Sequence, residues 1–264
     1  MAEMARRLNV NEAALKLVGA LGFAAGGGDA DMLRQLLAEG VTWSSGQASP
    51  LHSLCEDESD FDEKDLGDRP ACFRLLVEAG ENIDGTDVTG RTPLLCALKS
   101  RGRTTLLKML IEAGANVNTR YAGSAPNLPD YYPIGSTPLH TAAEWCSEEH
   151  VALLLKAGAA VNVRDRAGNT PFTHAIRNPW NKTQVRDHRV FPRIAPLLLR
   201  AGADIPAGWG GVSPYIRRVV AAGGFKKYEQ AHIARITKIL APTPRLPPEM
   251  VRKITEFWLH AGYY

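Results

Sequence analysis

The sequence contains few cysteines, and they are not arranged for metal binding or disulfide pairing. There are four in 264 residues, and no two are spaced as in a CxxC motif. A disulfide-stabilised secreted scaffold or a Cys-rich zinc module needs closely spaced cysteine pairs. We therefore predict that Cys55, Cys72, Cys96 and Cys146 are buried, reduced thiols.

Long apolar runs are also absent. A transmembrane helix needs about 20 predominantly apolar residues, and no segment approaches that length. The N-terminus resembles a targeting peptide, but Glu12 and Lys16 interrupt its apolar stretch. We therefore interpret residues 1–18 as an N-terminal cap helix. We expect no membrane partner and a cytoplasmic location, with the nucleus as the alternative.

Motifs of catalytic and cofactor sites are missing. The Gly-rich stretches follow no predicted strand and lack the Lys-Ser/Thr of a phosphate-binding loop. The acidic segment 56–69 does not fit a calcium loop, because Lys64 stands where Asp or Asn is required. We predict a protein that is not an enzyme and uses no cofactor, metal or small-molecule substrate.

An internal repeat is the strongest pattern in the sequence. Ser/Thr-Pro dipeptides are predicted to open helices, because the hydroxyl accepts an N–H of the first turn and Pro loses no hydrogen bond there. Glycines end the following leucine-rich runs, where the chain needs a left-handed residue. The prolines are Pro50, Pro93, Pro138, Pro171 and Pro214, and the glycines are Gly40, Gly80, Gly114, Gly158 and Gly202.

This unit resembles the ankyrin repeat, in which a helix opening on T-P-L-H is followed by a helix closing before A-G-A-D/N-V-N. The clearest copy runs from Thr137 to Asn162, and the next begins at Thr170, 33 residues after Thr137. The resemblance implies an all-α ankyrin-repeat solenoid of about six stacked helix pairs with loop insertions, over residues 19–240. It also implies that His52 and His140 tie one repeat's backbone to the next and are structural.

Three insertions depart from the repeat. Residues 56–69 are acidic, residues 119–135 carry three tyrosines, and residues 178–193 are basic. Such insertions are either functional or tolerated surface loops, and both interpretations stay open here.

The resemblance implies a non-catalytic scaffold for an unknown protein partner. The family binds partners through turn tips and exposed residues of each repeat's first helix, and binding energy concentrates in aromatic and arginine side chains. For Trp145, packing beneath an insertion is the alternative. The predicted partner-binding residues are Lys99, Tyr121, Tyr131, Tyr132, Trp145, Arg166, Arg177 and Trp209.

The C-terminal segment 241–264 carries a second signal. Its L-P-P-E start resembles the opening of an F-box, which implies an adaptor of a cullin-type ubiquitin ligase. L-P-P-E is also a good helix start, and a terminal helix that caps the last repeat is the preferred interpretation. The residues that would contact the ligase are Leu246, Pro247, Met250, Ile254 and Phe257.

Charge is divided along the chain. Residues 1–176 hold 16 Lys/Arg and 23 Asp/Glu, whereas residues 177–264 hold 15 and 5, giving net charges of −7 and +10. The basic part predicts either an acidic partner, protein or nucleic acid, or a solvated outer face. We rank nucleic acid last, because no nucleic-acid motif or stacking pattern of aromatics accompanies the basic residues.

Overall fold

The computed structural model describes most of the repeat region as helices and turns, and none of the residues it describes forms a β-strand. The described residues are 19–43, 49–56, 67–99, 104–123, 132–145, 147–176, 191–208, 214–240, 247, 249–250 and 253–254. Within these ranges, no helix is both long enough and apolar enough to cross a membrane.

The helices come in pairs, each with a first and a second helix. The first helices are residues 19–27 (α1), Pro50–Glu56 (α3), Pro93–Lys99 (α5), Pro138–Glu144 (α7), Pro171–Ile176 (α9) and Pro214–Ala221 (α11). The second helices are Ala30–Ala38 (α2), Arg69–Glu78 (α4), Thr104–Glu112 (α6), Glu148–Lys156 (α8), Phe191–Arg200 (α10) and Phe225–Leu240 (α12).

The predicted helix signals are confirmed. All five Ser/Thr-Pro prolines are the first residues of their helices, α3, α5, α7, α9 and α11. The five predicted glycines follow α2, α4, α6, α8 and α10 with φ between 76° and 93°. An L side chain is disfavoured at that φ, so glycine ends these helices at little steric cost.

The described residues fall into two compact units. The first comprises those up to Thr141 together with Asp165–Ala167, and the second those from Ala142 to Arg164 and from Gly168 onward. In the first unit, α3 packs against α5, and α4 packs against both α2 and α6. In the second, α10 packs against α8, α9 and α12. Each unit is therefore stabilised by interfaces between neighbouring helix pairs, as expected for a repeat fold.

The cysteine prediction is confirmed for three of the four residues. Cys55, Cys72 and Cys96 are buried and reduced, while Cys146 lies outside the described residues. Burial raises the pKa of Cys72 to about 11. These thiols therefore belong to the core of the first unit.

The end of the acidic insertion is packed rather than solvated. The guanidinium of Arg69 is buried and donates hydrogen bonds to the carbonyl oxygens of Gly26, at 2.6 Å, and Leu54, at 3.1 Å. A buried charge is costly unless it is hydrogen-bonded in this way. Arg69, the last residue of the 56–69 insertion, is therefore part of the core and joins α1 and α3 to α4. Residues 57–66 lie outside the described residues.

Candidate partner-binding surface

Two buried tyrosines hold the base of the 119–135 insertion. Tyr121 and Tyr132 are 1% and 5% exposed, and their rings meet edge to face with centroids 5.5 Å apart. The Tyr132 hydroxyl donates a hydrogen bond to the carbonyl of Leu95, in α5, at 3.3 Å. The expectation that these two tyrosines are exposed is wrong, because burying the aromatic rings in the core is more favourable. Their role as partner contacts stays a prediction. Tyr131 lies outside the described residues.

Backbone hydrogen bonds close the same base. The N–H of Tyr121 donates to the carbonyl of Ser136 at 2.8 Å, and the N–H of Gly135 donates to the carbonyl of Tyr121 at 2.7 Å. The two ends of the insertion are thus paired with each other. The backbone positions at which the insertion begins and ends are therefore held next to each other.

Neighbouring turns of the first unit also contact each other. The N–H of Arg166 donates to the carbonyl of Ile134 at 2.8 Å. Gly90 approaches Gly123 so closely that a Cβ at position 90 would lie 2.2 Å from the Gly123 carbonyl oxygen. Three consecutive turns are therefore held against one another through their backbones.

Exposed side chains stand on these three turns. Val88, in the turn before α5, is 46% exposed. Arg120 and Arg166 are also exposed, on the two turns that follow. We define these three side chains as the turn-tip surface. It presents one apolar and two basic groups on a fixed backbone.

The other predicted contact residues have less defined surroundings. Trp145 is partly exposed, and its indole N–H is buried with no hydrogen-bond partner within the described residues. The side chain of Lys99 and all of Arg177 and Trp209 lie outside the described part of the chain. Their roles stay predictions.

The structure describes part of the C-terminal segment. Residues 249–250 and 253–254 are helical, Pro247 and Met250 are exposed, and Ile254 is partly exposed. Leu246 and Phe257 lie outside the described residues. The ligase-contact role of all five residues stays a prediction.

The two motif histidines are buried and hydrogen-bonded. Nε2 of His52 donates to the carbonyl of Arg91 at 2.8 Å, and its Nδ1 lies 2.6 Å from the Ser49 hydroxyl. The Nδ1 atom of His140 accepts from the backbone N–H of Thr137 at 3.0 Å. His52 therefore links its own repeat to the next, as the resemblance implied.

We expect His140→Ala to lower the free energy of unfolding by about 1–3 kcal/mol, because the buried N–H of Thr137 loses its acceptor. Chemical denaturation would measure the loss. His140→Asn should lose less, since its amide oxygen can replace part of the acceptor. A variant that unfolds like the wild type but no longer binds a partner would show that His140 is functional.

A buried salt-bridge network lies between α3 and α5 and was not predicted. The Arg91 guanidinium donates to the Asp87 carboxylate at 2.8 Å, to the Thr89 hydroxyl at 2.6 Å, and to the Glu56 carboxylate. Burial opposes ionisation of Asp87, but hydrogen bonds from Thr89 and Arg91 outweigh it and lower its pKa. The network therefore favours the ionised form of Asp87.

The same network contains three groups that resemble metal ligands. Carboxylate oxygens of Glu56 and Asp87 and the Sγ of Cys96 lie within 4.8 Å of one another. Arg91 already supplies the positive charge between the carboxylates, and burial raises the pKa of Cys96, so its thiol stays protonated. The arrangement fits a salt bridge better than a metal centre.

His150, in α8, is another buried group that the repeat pattern did not indicate. It is 1% exposed, and neither ring nitrogen has a hydrogen-bond partner within the described residues. Burial lowers its pKa, and burial also lowers the pKa of His52. Both imidazoles are therefore held neutral in the folded protein.

We expect the free energy of unfolding to fall as the pH drops below about 6.5, where unfolded histidine begins to bind protons. The folded pKa values lie lower, so between the folded and unfolded values the unfolded state binds more protons. The slope contributed by each histidine is at most about 1.4 kcal/mol per pH unit. Denaturation from pH 8 to 5.5 would measure it, and His150→Gln should give a shallower slope. Equal slopes would contradict the assignment to His150.

Comparison with known families agrees with the repeat geometry. The family described as "Ankyrin repeats (3 copies)" matches residues 21–121, and "Ankyrin repeat" matches residues 134–166. Successive helix pairs connected by turns are the architecture of a repeat protein, a class that commonly serves in protein–protein interaction. The chain belongs to the ankyrin repeat family, whose members are generally non-catalytic and form protein–protein interaction domains.

Three curated proteins show how far the similarity extends. The chain is 33% identical to human Ankyrin repeat and SOCS box protein 16 over 195 residues, which cover 73% of this chain and 38% of that protein. It is 27% identical to human B-cell lymphoma 3 protein over 165 residues, 62% and 35% of the two chains. It is 37% identical to the Putative E3 ubiquitin-protein ligase XBAT34 of Arabidopsis thaliana over 93 residues, 35% and 22%. The chain thus matches well under half the length of these relatives.

Proposed function

We propose that the chain is a scaffold that binds a protein partner through the turn-tip surface of Val88, Arg120 and Arg166. The supporting observation is the burial of three of the first helices, α5, α7 and α9. Every described side chain of α7 and α9 is buried, as are those of residues 93–98 in α5. A partner therefore reaches these repeats through their turns rather than through the faces of their first helices.

The turns suit this role because they are already ordered. Binding costs free energy when loops and side chains must be immobilised, and a preorganised surface avoids part of that cost. The Arg166–Ile134 hydrogen bond and the Gly90–Gly123 approach fix the backbone before a partner arrives. Arginine is also a side chain in which binding energy concentrates.

Affinity capture followed by mass spectrometry would test the surface when it is done with matched charge reversals. Arg166→Glu changes the turn tips, and Arg74→Glu changes an exposed arginine on α4 by the same charge. We expect a captured partner to bind Arg166→Glu at least about tenfold more weakly, equivalent to about 1.4 kcal/mol. Arg74→Glu should bind like the wild type. A partner that binds both variants unchanged would contradict the proposal.

The second candidate function is that of a ubiquitin-ligase adaptor, with the C-terminal segment as the contact. Met250 is 45% exposed and Pro247 is also exposed, so these apolar side chains are accessible rather than fully packed as in a cap. The name of one relative includes the term SOCS box, and the name of another includes the term E3 ubiquitin-protein ligase. These observations support a contact with a ligase subunit.

The variant Met250→Asp distinguishes the two interpretations of the C-terminal segment, ligase contact and cap. An adaptor should lose capture of cullin-complex subunits and melt like the wild type, because Met250 is accessible. Deleting residues 241–264 should abolish the same capture. If Met250→Asp instead lowers the melting temperature and the wild type captures no cullin-complex subunit, the segment is a cap.

A further inference from the structure

The last helix pair carries a dense set of exposed positive charges. Six lysines and arginines of α11 and α12 are exposed: Arg217, Arg218, Lys226, Lys227, Arg235 and Lys238. Glu229 is the single acidic residue in the sequences of these two helices. Its carboxylate accepts a hydrogen bond from Arg200 at 2.7 Å. The pair therefore has a large excess of positive charge at its surface.

The positive charges of two of these arginines lower the pKa of the same histidine. His232 lies on α12, and burial, followed by the positive charges of Arg235 and Arg218, lowers its pKa. Arg218 also acts on Tyr228, one turn before His232, although burial is the larger effect and raises the pKa of that tyrosine. Arg218 lies one helical turn after Tyr215 on α11, Arg235 lies one turn after His232 on α12, and the rings of Tyr215 and His232 both contact Tyr228.

The three aromatic rings contact one another as a connected set. The rings of His232 and Tyr228 are stacked at 5.8 Å with an interplanar angle of 18°, and Tyr228 meets Tyr215 edge to face at 5.7 Å. Packed rings have few alternative rotamers. The stack therefore fixes the surface on which Arg218 and Arg235 stand.

We propose that this surface, the Arg218–Arg235 site, binds an acidic segment of a protein partner. The carboxylates of Asp or Glu side chains would lie between the two guanidinium groups. Arginine suits this contact, because its planar donors can bind a carboxylate with two parallel hydrogen bonds. The site is separate from the turn-tip surface and is a second binding surface for an acidic peptide.

The aromatic side chains favour a peptide over single-stranded nucleic acid. Nucleic-acid surfaces that combine positive charge with aromatics use exposed rings on which bases stack. Tyr215 and Tyr228 are both buried, so their faces are occupied by protein. What the site offers a ligand is paired positive charge, which carboxylates satisfy.

Fluorescence anisotropy with the full chain and a labelled octaglutamate peptide would test the proposal. Arg218→Glu/Arg235→Glu changes the site, and Arg74→Glu/Lys156→Glu makes the same change in net charge on exposed positions of α4 and α8. We expect the first variant to bind the peptide at least about tenfold more weakly and the second to change affinity less than about threefold. Binding should also weaken as salt is raised.

A second readout reports on the site itself. Peptide carboxylates placed between the arginines should raise the pKa of His232, which an NMR titration of the imidazole resonances would measure. Equal weakening in the two double variants, or an unchanged His232 titration, would overturn the site. Tighter binding of an octathymidylate oligonucleotide than of octaglutamate would overturn the choice of an acidic peptide. Arg166→Glu should bind octaglutamate like the wild type, so this test is independent of the turn-tip surface.

Discussion

Arg91→Met is expected to lower the free energy of unfolding by about 3–5 kcal/mol. The substitution removes a buried guanidinium and leaves the Asp87 and Glu56 carboxylates without their positive partner. Asp87 is almost fully buried, so water cannot replace the lost hydrogen bonds. Methionine keeps most of the side-chain volume, so the loss measures charge pairing more than cavity formation.

Denaturant unfolding of a double-mutant cycle would measure this coupling. Adding Asp87→Asn to Arg91→Met should recover part of the lost stability, because it removes one of the two unpaired charges. Arg34→Met serves as the control, since its pair with Asp31 is exposed and should be worth well under about 1 kcal/mol. If Arg91→Met costs no more than Arg34→Met, the network does not stabilise the fold.

Helix positions could be predicted from the sequence because their signals are local. A Ser/Thr-Pro start and a closing glycine act within one turn of the helix that they delimit. The structure therefore agrees at the five prolines and the five glycines. The histidine of the T-P-L-H motif was likewise interpreted correctly at His52, because its partner is set by the repeat itself.

The roles of Arg69, Arg91 and Tyr132 could not be predicted in this way. Arg69 bonds to Gly26, which lies 43 residues away in the sequence. Arg91 bonds to Glu56, 35 residues away, and Tyr132 bonds to Leu95, 37 residues away. An insertion rich in tyrosine is equally consistent with an exposed loop and with a buried anchor, since both use the ring's large area. The stacking of repeats decides between the two, and that information is tertiary.

Tyr121→Ala is expected to lower the free energy of unfolding by about 3–5 kcal/mol, the usual range for truncating a large buried aromatic side chain. The ring lies in a cluster with Leu95 and Tyr132 and is 1% exposed. Its removal leaves a cavity and takes away the edge-to-face contact with Tyr132. The backbone pairing of Tyr121 with Ser136 and Gly135 has to hold without that support.

Tyr132→Phe is the matched control for Tyr121→Ala. It keeps the ring and removes only the hydroxyl that bonds to Leu95, so we expect a loss of about 1 kcal/mol. Thermal and denaturant unfolding would compare the two variants, and the affinity of a captured partner would be measured alongside. Partner affinity should stay within about twofold in Tyr132→Phe, because the buried hydroxyl cannot reach a partner. Wild-type stability in Tyr121→Ala combined with lost binding would instead mean that Tyr121 contacts the partner directly, which would require the insertion to open.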